Sequence, residues 1–305
     1  MTSTTQAPDL THLHPLIERY KVSGRVSPLG LVRAFVLATL LGLFIGWLSH
    51  FIGRFLYLIL LHPMLVAAAL AGLNFALTRS GKIRNMWVSG FIGVWMGGVS
   101  YLTFWYADYL YFYQDLGLLD LFRMLFQGDL GQLIAYEVNQ SLFGEFLQES
   151  AEAGMWLSST SSSNSEVNVG PIITKVYWGI EAALILLVPI TGGLSQASQP
   201  FCEKDNDWYG FEQRIGSVPA DNKWTAVQLA KQRDVTKLND LIIQTRGSAV
   251  LPKFNITLQA CDKCSESVGV LNIYLETMQQ DGKTANQQVA SVILNPYQTQ
   301  KIFRP

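Results

Sequence analysis

Four long apolar stretches constrain this chain more than any other feature of its sequence. An α-helix needs about 20 residues to cross the hydrocarbon core of a bilayer. The four stretches cover residues 34–53, 55–77, 86–106 and 172–194, so each has this length. Four such stretches in 305 residues are too many to be buried helices of a soluble protein. The sequence therefore predicts a membrane protein with four spans, for which the lipid bilayer is the first partner.

The charge content agrees with a membrane protein. Charged residues make up 15% of the chain, whereas typical soluble domains have about 25%. The formal net charge is −1, so the chain has no overall attraction to nucleic acid and we expect no nucleic-acid partner.

The distribution of lysine and arginine predicts the orientation, because basic residues concentrate in short cytoplasmic loops. The tail at residues 1–33 carries four basic residues, and the loop at 78–85 carries three. Residues 107–171 contain one basic residue and nine acidic ones. The sequence thus predicts a multi-pass protein of the cell (inner) membrane, with both termini cytoplasmic and residues 107–171 outside.

The expected fold is mainly α, with a four-helix transmembrane bundle, an extracytoplasmic helical insertion and a small cytoplasmic α+β domain. The predicted parts are a cytoplasmic tail at 1–33, transmembrane helices 1–3 at 34–106, the insertion at 107–171, transmembrane helix 4 at 172–194 and the α+β domain at 200–305.

Local patterns add detail to two of these parts. Apolar residues at helical spacing predict two or three short amphipathic helices in the insertion, and the serine-rich run at 158–166 predicts a flexible linker. In the last domain the patterns predict helices near 225–233 and 235–246 and a strand at 253–260. The Asp281-Gly282 pair predicts a hairpin between two further strands.

All three cysteines of the chain lie in two short segments of the last domain. "FCEKD" at 201–205 contains Cys202, and "ACDKC" at 260–264 contains Cys261 and Cys264. A C-x-x-C turn offers two thiolates, and zinc prefers four ligands in a tetrahedron. The segments resemble the knuckles of a zinc-ribbon or rubredoxin-like module. This resemblance implies a zinc site with ligands Cys202, Cys261 and Cys264, and Asp205 stands where the pattern has a fourth cysteine.

Three interpretations of this pattern remain open. The residues bind zinc, or they belong to a degenerate knuckle that keeps the fold without the metal, or Cys202 is unrelated to the other two cysteines. A thioredoxin-like redox pair is disfavoured, because its first cysteine lies at a helix N-terminus whereas "NITLQACDKC" is typical of a strand that enters a turn.

Two ionisable residues lie inside predicted spans. Glu181 is about nine residues into the fourth span and His62 about seven into the second. A carboxylate at such depth costs about 2.5 to 3.5 kcal/mol on insertion scales. The two residues form either a proton-linked or ion-linked site, or a hydrogen-bonded contact that holds helices together. A coupled transporter usually has several polar residues along a path, so the structural interpretation is favoured.

Glycines at GxxxG spacing allow close helix packing. They occur at Gly42 and Gly46 and at Gly93 and Gly97. Such pairs join helices either within one chain or between chains. The sequence therefore allows an oligomer, but packing within the chain is favoured.

The sequence contains no Walker loop and no GxSxG, HExxH or GxGxxG motif, so we expect no enzyme. The leading hypothesis is a four-span scaffold that displays a zinc-ribbon-like module to an unknown protein partner. The alternative is a small transporter or channel that uses Glu181 and His62. A membrane enzyme that uses outer acidic residues is the third hypothesis.

Overall fold

A computed structural model describes residues 16–18, 21–55, 60–113, 142–158, 166–247, 250–261, 268–279 and 282–303. Its contacts divide the chain into two units. One unit is Ser23–Ser198, and the other combines Met1–Val22 with Gln199–Pro305. Part of the predicted insertion (114–141), most of the serine-rich linker and Cys264 lie outside the described residues.

The first unit is built from helices, which are α1 (Pro28–Phe55), α2 (Leu61–Ser80), α3 (Met86–Tyr113), α4 (Leu142–Ala153) and α5 (Gly170–Ala197). Among the described residues, three helical stretches are long and apolar enough to cross a membrane. They are Pro28–Gly53, Leu61–Ser80 and Gly170–Ala197. Three of the four predicted spans are thereby matched to membrane-length apolar helices. The remaining predicted span forms α3, which is 28 residues long and is not one of these three stretches.

The four long helices pack against one another: α3 contacts α1 and α5, and α5 contacts α2. Small and aliphatic side chains such as Ala38, Leu70 and Met96 are buried between them. Both GxxxG motifs are used within the chain. A Cβ atom on Gly46 would overlap the Ser100 carbonyl oxygen. One on Gly97 would overlap the carbonyl oxygen of residue 185, so only glycine allows these helix contacts.

Beyond α3 the chain forms a small substructure. Phe146 of α4 packs on Tyr109 and Leu110 near the end of α3, and α4 is therefore one of the predicted amphipathic helices. Strands β2 (Trp156–Ser158) and β3 (Glu166–Asn168) pair antiparallel. The two ends of the predicted serine-rich linker are thus held together by backbone hydrogen bonds, which serine content alone does not indicate.

The second unit is an α+β domain, as the sequence predicts. Its elements are β1 (Leu16–Ile17), β4 (Phe201–Cys202), β5 (Asp207–Trp208), β6 (Gln213–Pro219), α6 (Lys223–Lys231), α7 (Val235–Gln244), β7 (Lys253–Gln259), β8 (Gly269–Met278), β9 (Thr284–Leu294) and α8 (Pro296–Phe303). Strands β6 to β9 form an antiparallel sheet in which sequential strands are neighbours. The domain contains β1, β4, β5, β6 and α8 in addition to the elements that the sequence patterns predict.

One face of the sheet carries the core of this domain. Strand β7 alternates, so that Phe254, Ile256 and Leu258 are buried while the residues between them are half-buried. Residues of α6, α7 and α8, among them Leu238 and Ile302, pack in the same apolar cluster. This period-two alternation is the pattern that a strand with one covered face requires.

The N-terminal segment belongs to this sheet. Strand β1 pairs parallel with β9, where Leu16 lies opposite Ala290. The Glu18 carboxylate accepts a 3.0 Å hydrogen bond from the backbone N–H of Ile293 and lies 3.2 Å from the Arg233 guanidinium. Residues just before the first membrane helix are therefore fastened to the domain that follows the last one.

Candidate metal centre

The first half of the candidate site is the hairpin of β4 and β5. Cys202 lies opposite Asp207 in this hairpin, and Phe201 packs edge to face on Trp208 with ring centroids 5.0 Å apart. Residues 203–206 form the turn. Asn206 adopts a left-handed conformation at φ 49°, which asparagine tolerates better than most residues. The tight turn brings Asp205 back beside Cys202.

The second half is the end of β7, which reaches Cys261. The chain after the hairpin is hydrogen-bonded to this end, because the Gly210 N–H donates to the Ala260 carbonyl oxygen at 3.3 Å. The Gln259 side-chain amide also donates to the Gly210 carbonyl oxygen at 3.2 Å. These bonds hold Cys261 next to the turn, although about 56 residues separate it from Asp205.

The three side chains converge on one point. Asp205 Oδ2 lies 3.6 Å from Cys202 Sγ and 3.0 Å from Cys261 Sγ, and one ligand atom of each residue lies within 4.8 Å of the others. With Zn–S near 2.3 Å and Zn–O near 2.1 Å, a tetrahedral ion places sulfur and oxygen ligands about 3.6 Å apart. The Cys202–Asp205 distance already has this value, and the Cys261–Asp205 distance would open by about 0.6 Å. The group can hold a metal ion.

The surroundings of these residues fit a site at the domain surface. Cys202 is buried, while Asp205 and Cys261 are half-buried. Cys264, three residues after Cys261, is a further sulfur ligand that the sequence predicts, and it lies outside the described residues. Two thiolates and a carboxylate are a donor set that zinc accepts.

The two predicted intramembrane residues lie inside the helix bundle. Glu181 of α5 is 2% exposed and His62 of α2 is 7% exposed. His62 Nε2 is 3.2 Å from Ser49 Oγ of α1. Glu181 lies close enough to Tyr101 of α3 to interact with it electrostatically. Each residue thus contributes to contacts between helices.

A third polar contact, which the sequence patterns do not indicate, lies at the same end of the bundle. His50 Nδ1 of α1 lies 2.6 Å from Asp108 Oδ1 of α3, and both side chains are largely shielded from solvent. Asp108 is the second residue after the predicted third span, so the sequence assigns its carboxylate to the acidic outer segment. A helix that continues to residue 113 carries it back towards α1.

A buried amide joins three helices at the other end. Asn74 of α2 is fully buried and donates to the carbonyl oxygens of Ser89 in α3 at 3.1 Å and Pro189 in α5 at 2.9 Å. Thr78 Oγ1 lies 2.5 Å from Ser89 Oγ. The sequence signal for this contact is a single asparagine in an apolar stretch, because a buried amide in a span needs partners on neighbouring helices.

The described residues therefore combine three helices that are long and apolar enough to cross a membrane with a small α+β domain that holds a candidate metal site. Comparison with protein families, with curated proteins and with solved structures gave no match for this chain.

Proposed function

We propose that this protein is a four-span membrane scaffold that displays a zinc-binding α+β domain to a protein partner. The observation that carries the proposal is the convergence of Cys202, Asp205 and Cys261 from two separate parts of the domain. Zinc bound by these residues, with Cys264 as the fourth ligand, would fasten the β4–β5 hairpin to the end of β7. The role is to stabilise a binding surface, and no catalytic step is assigned to the metal.

The pairing of β1 with β9 supports four spans rather than three. The chain leaves the α+β domain at residue 22 and returns to it at residue 199. Because β1 and β9 share one sheet, both ends of the membrane segment lie on the same side, and the number of crossings between them is even. The three candidate spans alone give an odd number. Helix α3, about 42 Å long at 1.5 Å per residue, supplies the fourth crossing.

The burial of Glu181 and His62 supports a scaffold rather than a transporter. Both side chains are almost fully enclosed by neighbouring helices, so their expected contribution is to hold the bundle together. Such interhelical hydrogen bonds contribute about 0.6 kcal/mol on average in a membrane protein.

The metal content of the full-length protein tests the proposal. The protein is purified in mild detergent without added zinc, and its bound metals are measured by mass spectrometry. We expect about one zinc per chain. Cys202→Ser and Cys261→Ser should each lose most of the metal, because each removes a thiolate. Asp205→Cys should retain zinc at least as tightly, because a thiolate is a favourable zinc ligand.

Asp207→Asn is the matched control. Asp207 lies in the same hairpin and faces Cys202 across it, but it does not belong to the converging group. Asp207→Asn should therefore keep its zinc, whereas Asp205→Ala should bind it more weakly. A folded wild-type protein with no metal in either the purified or the zinc-supplemented state would refute the zinc site and leave a metal-free knuckle.

A further inference from the structure

An apolar groove runs between the first turns of α1 and α3. It has a volume of about 680 Å³ and no polar surface, and this volume lies within the range of about 300 to 1,000 Å³ that is usual for small-molecule sites. Its walls are formed by Leu31, Val32, Phe35, Val36, Trp87, Val88 and Phe91. Stacked aromatic rings form part of its wall, because Phe35 of α1 packs on Phe91 of α3 with ring centroids 6.0 Å apart.

Several of these side chains are directed away from the bundle. Val32 is 61% exposed and Trp87 is 89% exposed. On a helix pair inside a bilayer, such surfaces face lipid. Because α1 and α3 both begin at this end, the groove starts near the membrane surface and continues into the hydrocarbon region.

The chain segments that flank the mouth of the groove are basic. Residues 23–33 and 79–85 contain five lysines and arginines and no acidic residue. Four of them, Arg25, Arg33, Arg79 and Lys82, are at least partly exposed, whereas the Arg84 side chain is buried. The two segments lie together, because the Arg84 N–H donates to the Arg25 carbonyl oxygen at 3.2 Å. A Cβ atom on Gly30 would overlap the Gly81 carbonyl oxygen. Asn85 caps the start of α3, because its side-chain oxygen accepts hydrogen bonds from the backbone N–H groups of Trp87 and Val88. An apolar groove therefore opens beside a positively charged rim.

We propose that this groove binds one acyl chain of an anionic phospholipid, whose headgroup phosphate lies against the basic rim. Hydrocarbon matches the wholly apolar lining, and the negative phosphate matches the sign of the flanking charge. Each basic residue near a membrane surface contributes about 1 kcal/mol to the attraction of anionic lipid. The proposal is independent of the metal site and uses residues of the first unit alone, and it rests on the proposed crossing of the membrane by α1 and α3.

Native mass spectrometry of the full-length protein tests this proposal. The protein is purified in detergent and mixed with equal amounts of phosphatidylglycerol and phosphatidylcholine that carry the same acyl chains. We expect one phosphatidylglycerol to be retained at least about fivefold more than phosphatidylcholine, which corresponds to about 1 kcal/mol. Arg33→Gln should reduce this preference, because it removes one charge of the rim. Lys175→Gln, which removes an exposed charge near the start of α5, should leave the preference unchanged.

A groove-filling variant separates this site from general lipid contact. Val32→Trp places a large ring in the groove at an exposed position, where it does not disturb the core. Val176→Trp makes the same change on α5, at a residue with 58% exposure. Retention of phosphatidylglycerol should fall several-fold in Val32→Trp only. Equal retention of the two lipids, equal retention in the two tryptophan variants, or a dimer without bound lipid would each overturn the proposal.

Discussion

At the scale of residues, the candidate metal site shows how a short turn and a distant strand end combine. The C-x-x-D spacing places Cys202 and Asp205 together through one turn, and sequence spacing alone predicts that proximity. The approach of Cys261 to within 3.0 Å of Asp205 depends on hydrogen bonds between residues 210 and 259–260. No spacing rule gives these bonds, so the resemblance to zinc knuckles was the signal that connected the two segments.

A second residue-scale feature is the charge cluster on the half-buried face of the sheet. Glu276 Oε2 accepts a 2.8 Å hydrogen bond from the Asn255 amide and lies 3.3 Å from the Lys253 ammonium. The hydrogen bond from Asn255, followed by the nearby Lys253, lowers the pKa of Glu276 below its ordinary value of 4.5. The charged form of Glu276 is therefore favoured by folding.

Glu276→Gln should destabilise the α+β domain at pH 7, by up to about 1 kcal/mol for a partly exposed pair. A lowered folded pKa means that the stabilisation is fully present above the unfolded pKa. It is then lost as the pH falls through the folded value. The difference in melting temperature between variant and wild type, measured by calorimetry on the full chain, should shrink between pH 7 and pH 3.5. The exposed Asp240→Asn control should show no such pH-dependent difference, and a constant difference in Glu276→Gln would exclude the ionic contribution.

At the scale of elements, the membrane helices are specified by two different properties. Their apolar composition predicts where the helices form, and the predicted spans cover most of the length of each helix. Their mutual packing depends on small residues at single positions, where α3 meets α1 through Gly46 and α5 through Gly97. The predicted use of the GxxxG motifs within the chain is confirmed.

Gly97→Ala should loosen the contact between α3 and α5. Its Cβ would overlap a main-chain carbonyl oxygen of α5, which cannot move without displacing the helix, so we expect a loss of about 1 to 3 kcal/mol. Gly98→Ala is the matched control, because its Cβ would make only an ordinary contact with Leu186 at 3.7 Å. Thermal unfolding in detergent compares the two. Equal melting temperatures would show that the helices do not pack as described.

At the scale of the whole molecule, the parity of the membrane crossings depends on one short strand. Strand β1 contains only Leu16 and Ile17, yet its pairing with β9 is the main support for the proposed even number of crossings. The lysine and arginine bias predicts the same topology from an independent physical effect, which is the retention of basic loops in the cytoplasm.

A topology reporter should detect the crossing by α3. An enzyme that is active only outside the cytoplasm is inserted after Gly81 or after Ser162, or is fused after Pro305. We expect activity only at Ser162, because α3 separates this site from Gly81 and the C-terminal domain lies with the N-terminal segment. The same result at Gly81 and Ser162 would mean that α3 does not cross. Activity after Pro305 would contradict the predicted cytoplasmic location of the C-terminal domain.

Local composition by itself determined the membrane helices, the α+β character of the last domain and the ligand types of the candidate site. Hydropathy over about 20 residues, period-two alternation and cysteine spacing are all short-range properties that the chain carries in its order. Only the tertiary structure decided that Cys261 meets Asp205, that β1 joins β9, and that His50 meets Asp108. Cys261 and Asp205 are 56 positions apart in the chain, the paired residues of β1 and β9 are more than 270 apart, and His50 and Asp108 are 58 apart. They form because backbone hydrogen bonds and close helix packing bring together segments whose own sequences do not encode their partners.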